Sequence, residues 1–501
     1  MPPKSRCSTL VERVHFKRMK TMKKLKGSKF AIVLFVSLIA ISGFIISRNY
    51  EFAKKSGPQP VLAVSTQNDT PPTEERISDT VKQALENATN TTSIAPLRKF
   101  PYPFDAMLAI SSDIDYATVE KFETYHQFLN TLEQTTHGPG VGLDIGDSAW
   151  FYVVNDSLIN LDKEGHKVAY SMSYFQGLNP NFHKDADKII KYYKEGWIDS
   201  LHSFGDFSRN DRSIQFTRDL AVAAWKAMND SGFKPKVWIN HGSESNVQNF
   251  GAYNPKNLFK YQAGDDPKSP YYHTDLTTDN GIRYVWNSIG MSQFSYDNPL
   301  FPIKLRDGRQ VWGFHRYTHD VVNGKYDWTW ETHELHRQIT KERLEQLVQE
   351  RKFSIVAQHL GKESAEFPFN PIDIQALQLL KAYQDQGKVL VARTSRLLDY
   401  ARAQKFVGYF SVQLEGKTFI NINSIKDSVL ASTTPTMDDI RGLTFYVDDP
   451  DKTFLLLNLT YIPKEQLQRN GPDGSSKKSI EVKWYMPDNV DYSKPPKKVT
   501  Q

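Results

Sequence analysis

Cysteine is nearly absent. One occurs in 501 residues, Cys7, in the N-terminal tail. The rest of the chain therefore offers no disulfide, no thiolate metal ligand and no nucleophilic thiol. It can fold in any redox compartment. Charge of one sign is also scarce beyond that tail. The formal net charge is +6, yet residues 1–29 hold ten Lys or Arg against one acid, Glu12. The remainder of the chain is mildly acidic, which excludes the basic footprint of a nucleic-acid binder. No internal repeat is visible, which excludes solenoids and propellers.

Long apolar runs are few, and one carries no charge: Phe30–Ile46, FAIVLFVSLIAISGFII. It is at the short end of what spans a bilayer. The basic block precedes it, and only Arg48, Lys54 and Lys55 come closely after it. The positive-inside bias then places the N-terminus in the cytoplasm and the bulk of the chain outside, as a single-pass membrane protein. A cleaved signal peptide is the competing reading, but no small-x-small site comes after Ile46. The expected organisation is a basic tail (1–29), a transmembrane helix (30–46), a flexible stalk (47–97), an α/β domain (98–404), a β-rich domain (405–490) and a disordered tail (491–501). The stalk is rich in Pro, Thr, Gln, Asn and Ser, with one short helix near Ile77–Glu86.

Between 98 and 404 strand-like and helix-like patterns alternate. Strands are expected at Met107–Ser111, Trp150–Val154, Val168–Tyr174, Ile198–Ser203, Val237–Asn240, Arg283–Trp286, Val311–His315, Ser354–His359 and Val389–Arg393. Helices are expected at Thr217–Asn229, Thr340–Gln349 and Ile372–Gln384. So many βα units argue for a parallel sheet closed into a barrel. From Phe406 onward, segments such as YFSVQLEG and TFLLLNLTYI alternate in period two, which reads as a small antiparallel β-domain that binds glycan or packs on the barrel.

The first strand ends in Ser111-Ser112-Asp113-Ile114-Asp115. Side chains two apart on an extended segment share a direction, so two acids converge unless they serve as caps of the following helix. Other strand ends are polar too: His202 with Asp206 four residues on, Asn240-His241, His359, and Arg393. Carboxylates, imidazoles and an amide at one end of several strands point to a site. His202 and Asp206 can reach one cation. The stretch Gly313–Asp320, with His315 and Arg316, joins Trp312, Trp328 and Trp330 as candidates to line a sugar cleft.

In this order the residues resemble the polysaccharide deacetylases of the NodB-homology type, over roughly Phe104–Ala401. The resemblance implies a distorted (β/α) barrel of the glycoside hydrolase/deacetylase type. It implies that Asp113 is the base and Asp115 a metal ligand, from a motif usually read Thr-Phe-Asp-Asp-Gly. His202-Ser203-Phe204-Gly205-Asp206 matches His-Ser-x-x-His with Asp in the last place. His359 matches the late general acid, and WINHG at 238–242 occupies the slot of an arginine-bearing third motif. The implied metal set is Asp115, His202 and Asp206. Two carboxylates make this a hard set, with zinc expected and Mn, Co or Fe open. Such an ion activates water and polarises an acetyl carbonyl, Asp113 takes a proton and His359 returns one. Asn240, His241, Trp312, His315, Arg316 and Arg393 are the expected polysaccharide contacts. The rival readings are a binding barrel without catalysis, in a cell-surface glycan assembly or export system, and a glycoside hydrolase using Asp113 and Asp115. His333 and His336, three apart, are a weaker second metal pair.

Overall fold

The run Ala106–Ser112 forms β1, and all seven of its residues are buried. Its neighbours explain the unbroken apolar character, because both faces are covered. Ala106, Leu108 and Ile110 point into one core, Met107 and Ala109 into another. The computed structural model describes residues 77–88, 94–153, 160–161, 167–168, 171–207, 216–242, 246–252, 261–287, 290–362 and 367–494. The expected basic tail and transmembrane run Phe30–Ile46 lie outside these residues. Among the described residues no helix is long and apolar enough to cross a membrane.

β1 sits inside a nine-stranded sheet. The other strands are β2 (Asp147–Ala149), β3 (Ile198–Leu201), β4 (Val237–Ile239), β5 (Tyr284–Trp286), β6 (Leu300–Lys304), β7 (Gln310–Phe314), β8 (Phe353–Gln358) and β9 (Val389–Val391). The order is β6-β7-β5-β4-β3-β2-β1-β8, with β9 beside the start of β1. Neighbours run parallel except at β6–β7. The expected closed barrel is not found among the described residues. The edge strand β6 turns back antiparallel on β7, and isolated bridges, among them Tyr296–Phe353 and Tyr317–Val356, link that side to β8.

Helices α2 (Val119–Asn130), α3 (Ala186–Glu195), α4 (Arg218–Ser231), α5 (Lys341–Glu350), α6 (Pro371–Asp385) and α7 (Thr394–Phe406) lie between and after the strands; α1 (Asp79–Asn87) precedes them. Neither Asp113 nor Asp115 caps α2. Thr118 does, its side chain accepting from the Lys121 amide, so the two acids are free for other work. The segment expected as a strand at Trp150–Val154 is displaced: β2 ends before it, and Tyr152–Val153 pairs instead with Gly205–Asp206. Helix α3 and strand β6 were not expected from the pattern. The expected strand Val168–Tyr174 falls partly outside the described residues.

The C-terminal region holds two sheets. One runs β10 (Val407–Leu414), β11 (Lys417–Ile425), β13 (Thr453–Leu457), β14 (Thr460–Tyr461); the other runs β12 (Thr444–Tyr446), β16 (Ser479–Val482), β15 (Leu467–Asn470). It is not wholly antiparallel, since β11 and β13 run parallel. Ile420, Phe445 and Val482 share one core with Met107, Val237 and Ile355 of the large sheet. The region is thus a cover for the outer face of that sheet. Two further expectations shift. Within the expected stalk, α1 packs Val81 and Leu85 on Phe419 and Leu456. At the start of the expected disordered tail, Asp491 accepts from Gln127 Nε2 of α2 at 2.8 Å.

Candidate metal centre

Parallel strands deliver their carboxyl ends to one edge, and the chemistry gathers there. Asp113 and Asp115 come just after β1, His202 after β3, His241 two residues past β4, and His359 after β8. Backbone bonds fix the turn: the Asp113 amide donates to Gln358 O at 2.8 Å, and the Ile114 amide to Ser148 Oγ at 2.9 Å. The chain then bends sharply after two of these residues. Tyr116 (φ 64°) and Ser203 (φ 50°) both stand in the left-handed region, which costs a non-glycine residue roughly 1–2 kcal/mol. Each lies directly after a site residue, where such strain tends to collect.

Three buried groups converge, Asp115, His202 and His241, with one ligand atom from each within 4.8 Å of the others. His202 Nε2 is 3.1 Å from Asp115 Oδ2, and His241 Nδ1 is 3.3 Å from Asp115 Oδ1. The two imidazole nitrogens face each other at 2.9 Å. Asp115 Oδ2 is buried and makes no hydrogen bond. Two ring nitrogens and a carboxylate aimed at one point need a cation or a proton between them. The protein alone supplies a proton. Burial opposes charge on His241, but Asp115, Asp206 and Asp113 raise its pKa to about 9. Burial likewise opposes charge on Asp115, and His241 and His202 nonetheless hold it well below the usual carboxylate range. One carboxylate with two imidazoles suits a divalent ion, so these residues fit a metal.

Asp206 stands one step behind the position expected of it. Its Oδ1 lies 3.2 Å from His241 Nε2, so that nitrogen donates, and Nδ1 is the nitrogen that would offer its lone pair to an ion. The third converging group is therefore His241, expected as a substrate contact, while Asp206 orients it. Spacing along the chain favoured Asp206, but the short parallel pairing of Gly205–Asp206 with Tyr152–Val153 turns it behind the ring. The signal that could have found His241 was its place just past a core strand, shared with His202 and His359.

Arg316 is fully buried. Its Nη2 is 3.1 Å from Asp113 Oδ1 and donates to Ser111 O at 2.9 Å, and its guanidinium lies 4.5 Å over the Trp286 ring. It holds the Asp113 carboxylate in place and has no exposed surface to offer a sugar. His359 Nδ1 faces the Trp330 carbonyl at 3.2 Å. A carbonyl only accepts, so Nδ1 carries the proton. Nε2 then faces Asp113 Oδ2 and Asp115 Oδ2, each at 3.9 Å. Asp113, Asp115 and His359 form a second converging set beside the first.

The remaining expected contacts lie elsewhere. Asn240 pins the following loop: its Oδ1 accepts from Trp238 Nε1 and the Phe250 amide, and its Nδ2 donates to Phe250 O. Trp312 Nε1 donates to Asp427 in the C-terminal cover. His315 is stacked between Tyr296 and Phe301, and burial pushes its pKa down to about 4. Arg393 donates through Nε to Asp144 at 2.9 Å. His336 is held by Asp373 at 2.9 Å, and among the described residues it joins no metal-binding set with His333. No family model and no curated protein matches the chain.

Proposed function

We propose that this chain is a membrane-anchored, extracytoplasmic, metal-dependent carbohydrate deacetylase, built on a distorted (β/α) barrel, that removes N- or O-acetyl groups from a polysaccharide. The observation that carries this reading is the convergence of Asp115, His202 and His241 beside an Arg316-held Asp113 and a tautomer-fixed His359. Asp115 Oδ1 or Oδ2, His202 Nε2 and His241 Nδ1 would hold the ion, with zinc favoured by a set of one carboxylate and two imidazoles. A divalent ion there supplies Lewis acidity, lowering the pKa of water and polarising the acetyl carbonyl.

The chain's own residues handle the protons. Asp113 accepts one from the attacking water while Arg316 keeps its carboxylate oriented. His359 delivers one through Nε2 to the leaving amine nitrogen or alkoxide oxygen as the bond to the acetyl carbon breaks. Acetate and a free amine or hydroxyl result. Asp206 keeps the His241 proton on Nε2. The glycoside-hydrolase reading fits less well. Atoms of Asp113, Asp115 and His359 lie within 4.8 Å in one cluster, whereas carboxylates that flank a glycosidic bond stand about 5–9.5 Å apart.

The test uses the full chain purified in detergent without chelator. Wild type should hold about one equivalent of a divalent ion and release acetate from acetylated glycans. Asp113→Asn should keep the ion and lose acetate release. A wild type that takes up no ion, even after reconstitution with zinc, would overturn the reading in favour of a binding barrel.

A further inference from the structure

Past β7 the chain makes a hairpin, His319–Val322 paired antiparallel with Lys325–Trp328. Cross-strand partners share a face, so His319, Val321, Tyr326 and Trp328 lie on one side and Asp320 and Asp327 on the other. On the second side the acids are tied to the protein beneath, while Val322, 49 % exposed, and Lys325 stand in solvent at the tip. Asp320 pairs with Arg343 at 2.7 Å, and Asp327 pairs with Arg337. The first side is apolar and aromatic, and its rings stand in solvent over a buried His319: Tyr326 is 58 % exposed, Val321 52 % and Trp328 39 %. A sheet face selected only for solubility has the opposite arrangement. Exposed aromatic surface of this kind marks a binding face.

The rings continue to the site. His319 lies 4.4 Å from Tyr326 and 4.8 Å from Trp328, Trp328 stacks on Trp330 at 4.5 Å, and Trp330 meets His359 edge-on at 5.5 Å. His359 Nε2 is in turn 3.9 Å from Asp113 and Asp115. The hairpin's acids are matched by arginines beneath it, so the exposed face carries no surplus of either charge. Pyranose rings present flat C–H faces that pack on aromatic rings while their hydroxyls stay in water.

We propose that this outward-facing hairpin, with Trp330, is the platform that receives a neutral acetylated polysaccharide and leads it to His359. The inference rests on the deacetylase reading and deepens it: the substrate is a chain spanning several residues beyond the reacting sugar. Binding on the platform does not need the metal.

Affinity electrophoresis of the full chain in detergent tests this, with two neutral polymers as probes, glycol chitin (N-acetylated) and acetylated xylan (O-acetylated). At least one should retard wild type. Tyr326→Ala and Trp328→Ala should bind that polymer about tenfold more weakly, the scale of one aromatic contact. Trp328→Phe keeps a ring and should restore most of the binding, which separates lost stacking from a loosened hairpin. Wild type stripped of metal by a chelator should be retarded like untreated wild type. Retardation by neither polymer, or retardation unchanged in both alanine variants, overturns the proposal. So does a concentration-dependent dimer in wild type that Trp328→Ala abolishes, since a second copy would then cover the face. Polymer binding without acetate release sinks the deacetylase reading alone; acetate release with unchanged binding in the alanine variants sinks this inference alone.

Discussion

The Asp115–His202–His241 centre and the surroundings of Arg98 are both buried polar clusters, and they are built on opposite rules. Arg98, whose side chain is 1 % exposed, spends its donors completely. It bonds the carbonyls of Phe100, Pro101, Pro103 and Phe104 and the carboxylates of Asp105 and Asp473. One positive charge meets acceptors arranged around it, and nothing is left over. At the candidate metal centre, acceptors outnumber donors. Two ring nitrogens lie 2.9 Å apart and Asp115 Oδ2 makes no hydrogen bond. A buried cluster that is complete binds the fold together. One that lacks a positive centre has the shape of something it holds.

Removing one member should therefore read out differently in the two places. His241→Ala should abolish both bound metal and acetate release, and it also strands the buried Asp115 and Asp206 carboxylates that share its charge, so the chelated variant should unfold more easily than chelated wild type. Metal analysis and urea unfolding with and without chelator check this. Full metal content in His241→Ala would break the comparison. Arg98→Ala should cost stability and no metal. It strands Asp473 and several carbonyls, costing about 3–5 kcal/mol in unfolding free energy, while the folded fraction keeps its metal.

The same contrast explains what the sequence revealed. Core strands were legible because both faces of β1 and β8 are buried, leaving continuous apolar runs ended by polar residues. Strand ends therefore flagged Asp113, Asp115, His202, Asn240-His241 and His359 together. Which of them meet was not legible, because that depends on turns. The left-handed step at Ser203 and the short pairing of Gly205–Asp206 carry Asp206 behind His241, and spacing along the chain records neither. Arg316 lies some 200 residues from its partner Asp113, and no local pattern joins them. Trp312 looked like a sugar contact because it is aromatic and near the site in sequence. It alternates with Val311, however, and faces the C-terminal cover through Asp427.

A smaller change sharpens the comparison within the centre itself. Asp206 holds no place in the converging set, but its Oδ1 fixes the His241 tautomer at 3.2 Å. Asp206→Asn keeps an acceptor and removes the charge that makes the ring a better donor to a cation. Metal affinity, measured by competition with a chromophoric chelator, should weaken about 10–100-fold with stoichiometry unchanged. An unchanged affinity would mean that His241 is oriented by its ring packing against Trp150, 5.2 Å away, and not by the carboxylate.

The smallest effect tests whether completeness around Arg98 extends to its neighbour. Glu481 is buried, accepts from the Tyr102 amide at 3.2 Å, and makes no ion pair with Arg98, whose donors are already engaged. Burial therefore dominates, and its pKa rises from 4.5 to about 8 against the weaker pull of Tyr102, Asn470 and Arg98. A raised carboxyl binds its proton more tightly in the folded state. Its contribution to stability is complete below about pH 4.5, declines as pH rises and is lost above about pH 8. Glu481→Gln mimics the protonated form at every pH. Melting temperatures across about pH 5–9 should fall more steeply in wild type than in this variant, the two curves separating most near pH 8–9. A slope common to both proteins belongs to other shifted groups, among them Asp147, which burial raises to about 7, and His241, raised to about 9 by its carboxylates. Parallel curves for both proteins would show that Arg98 reaches Glu481 after all, and that the cluster is complete one residue further out.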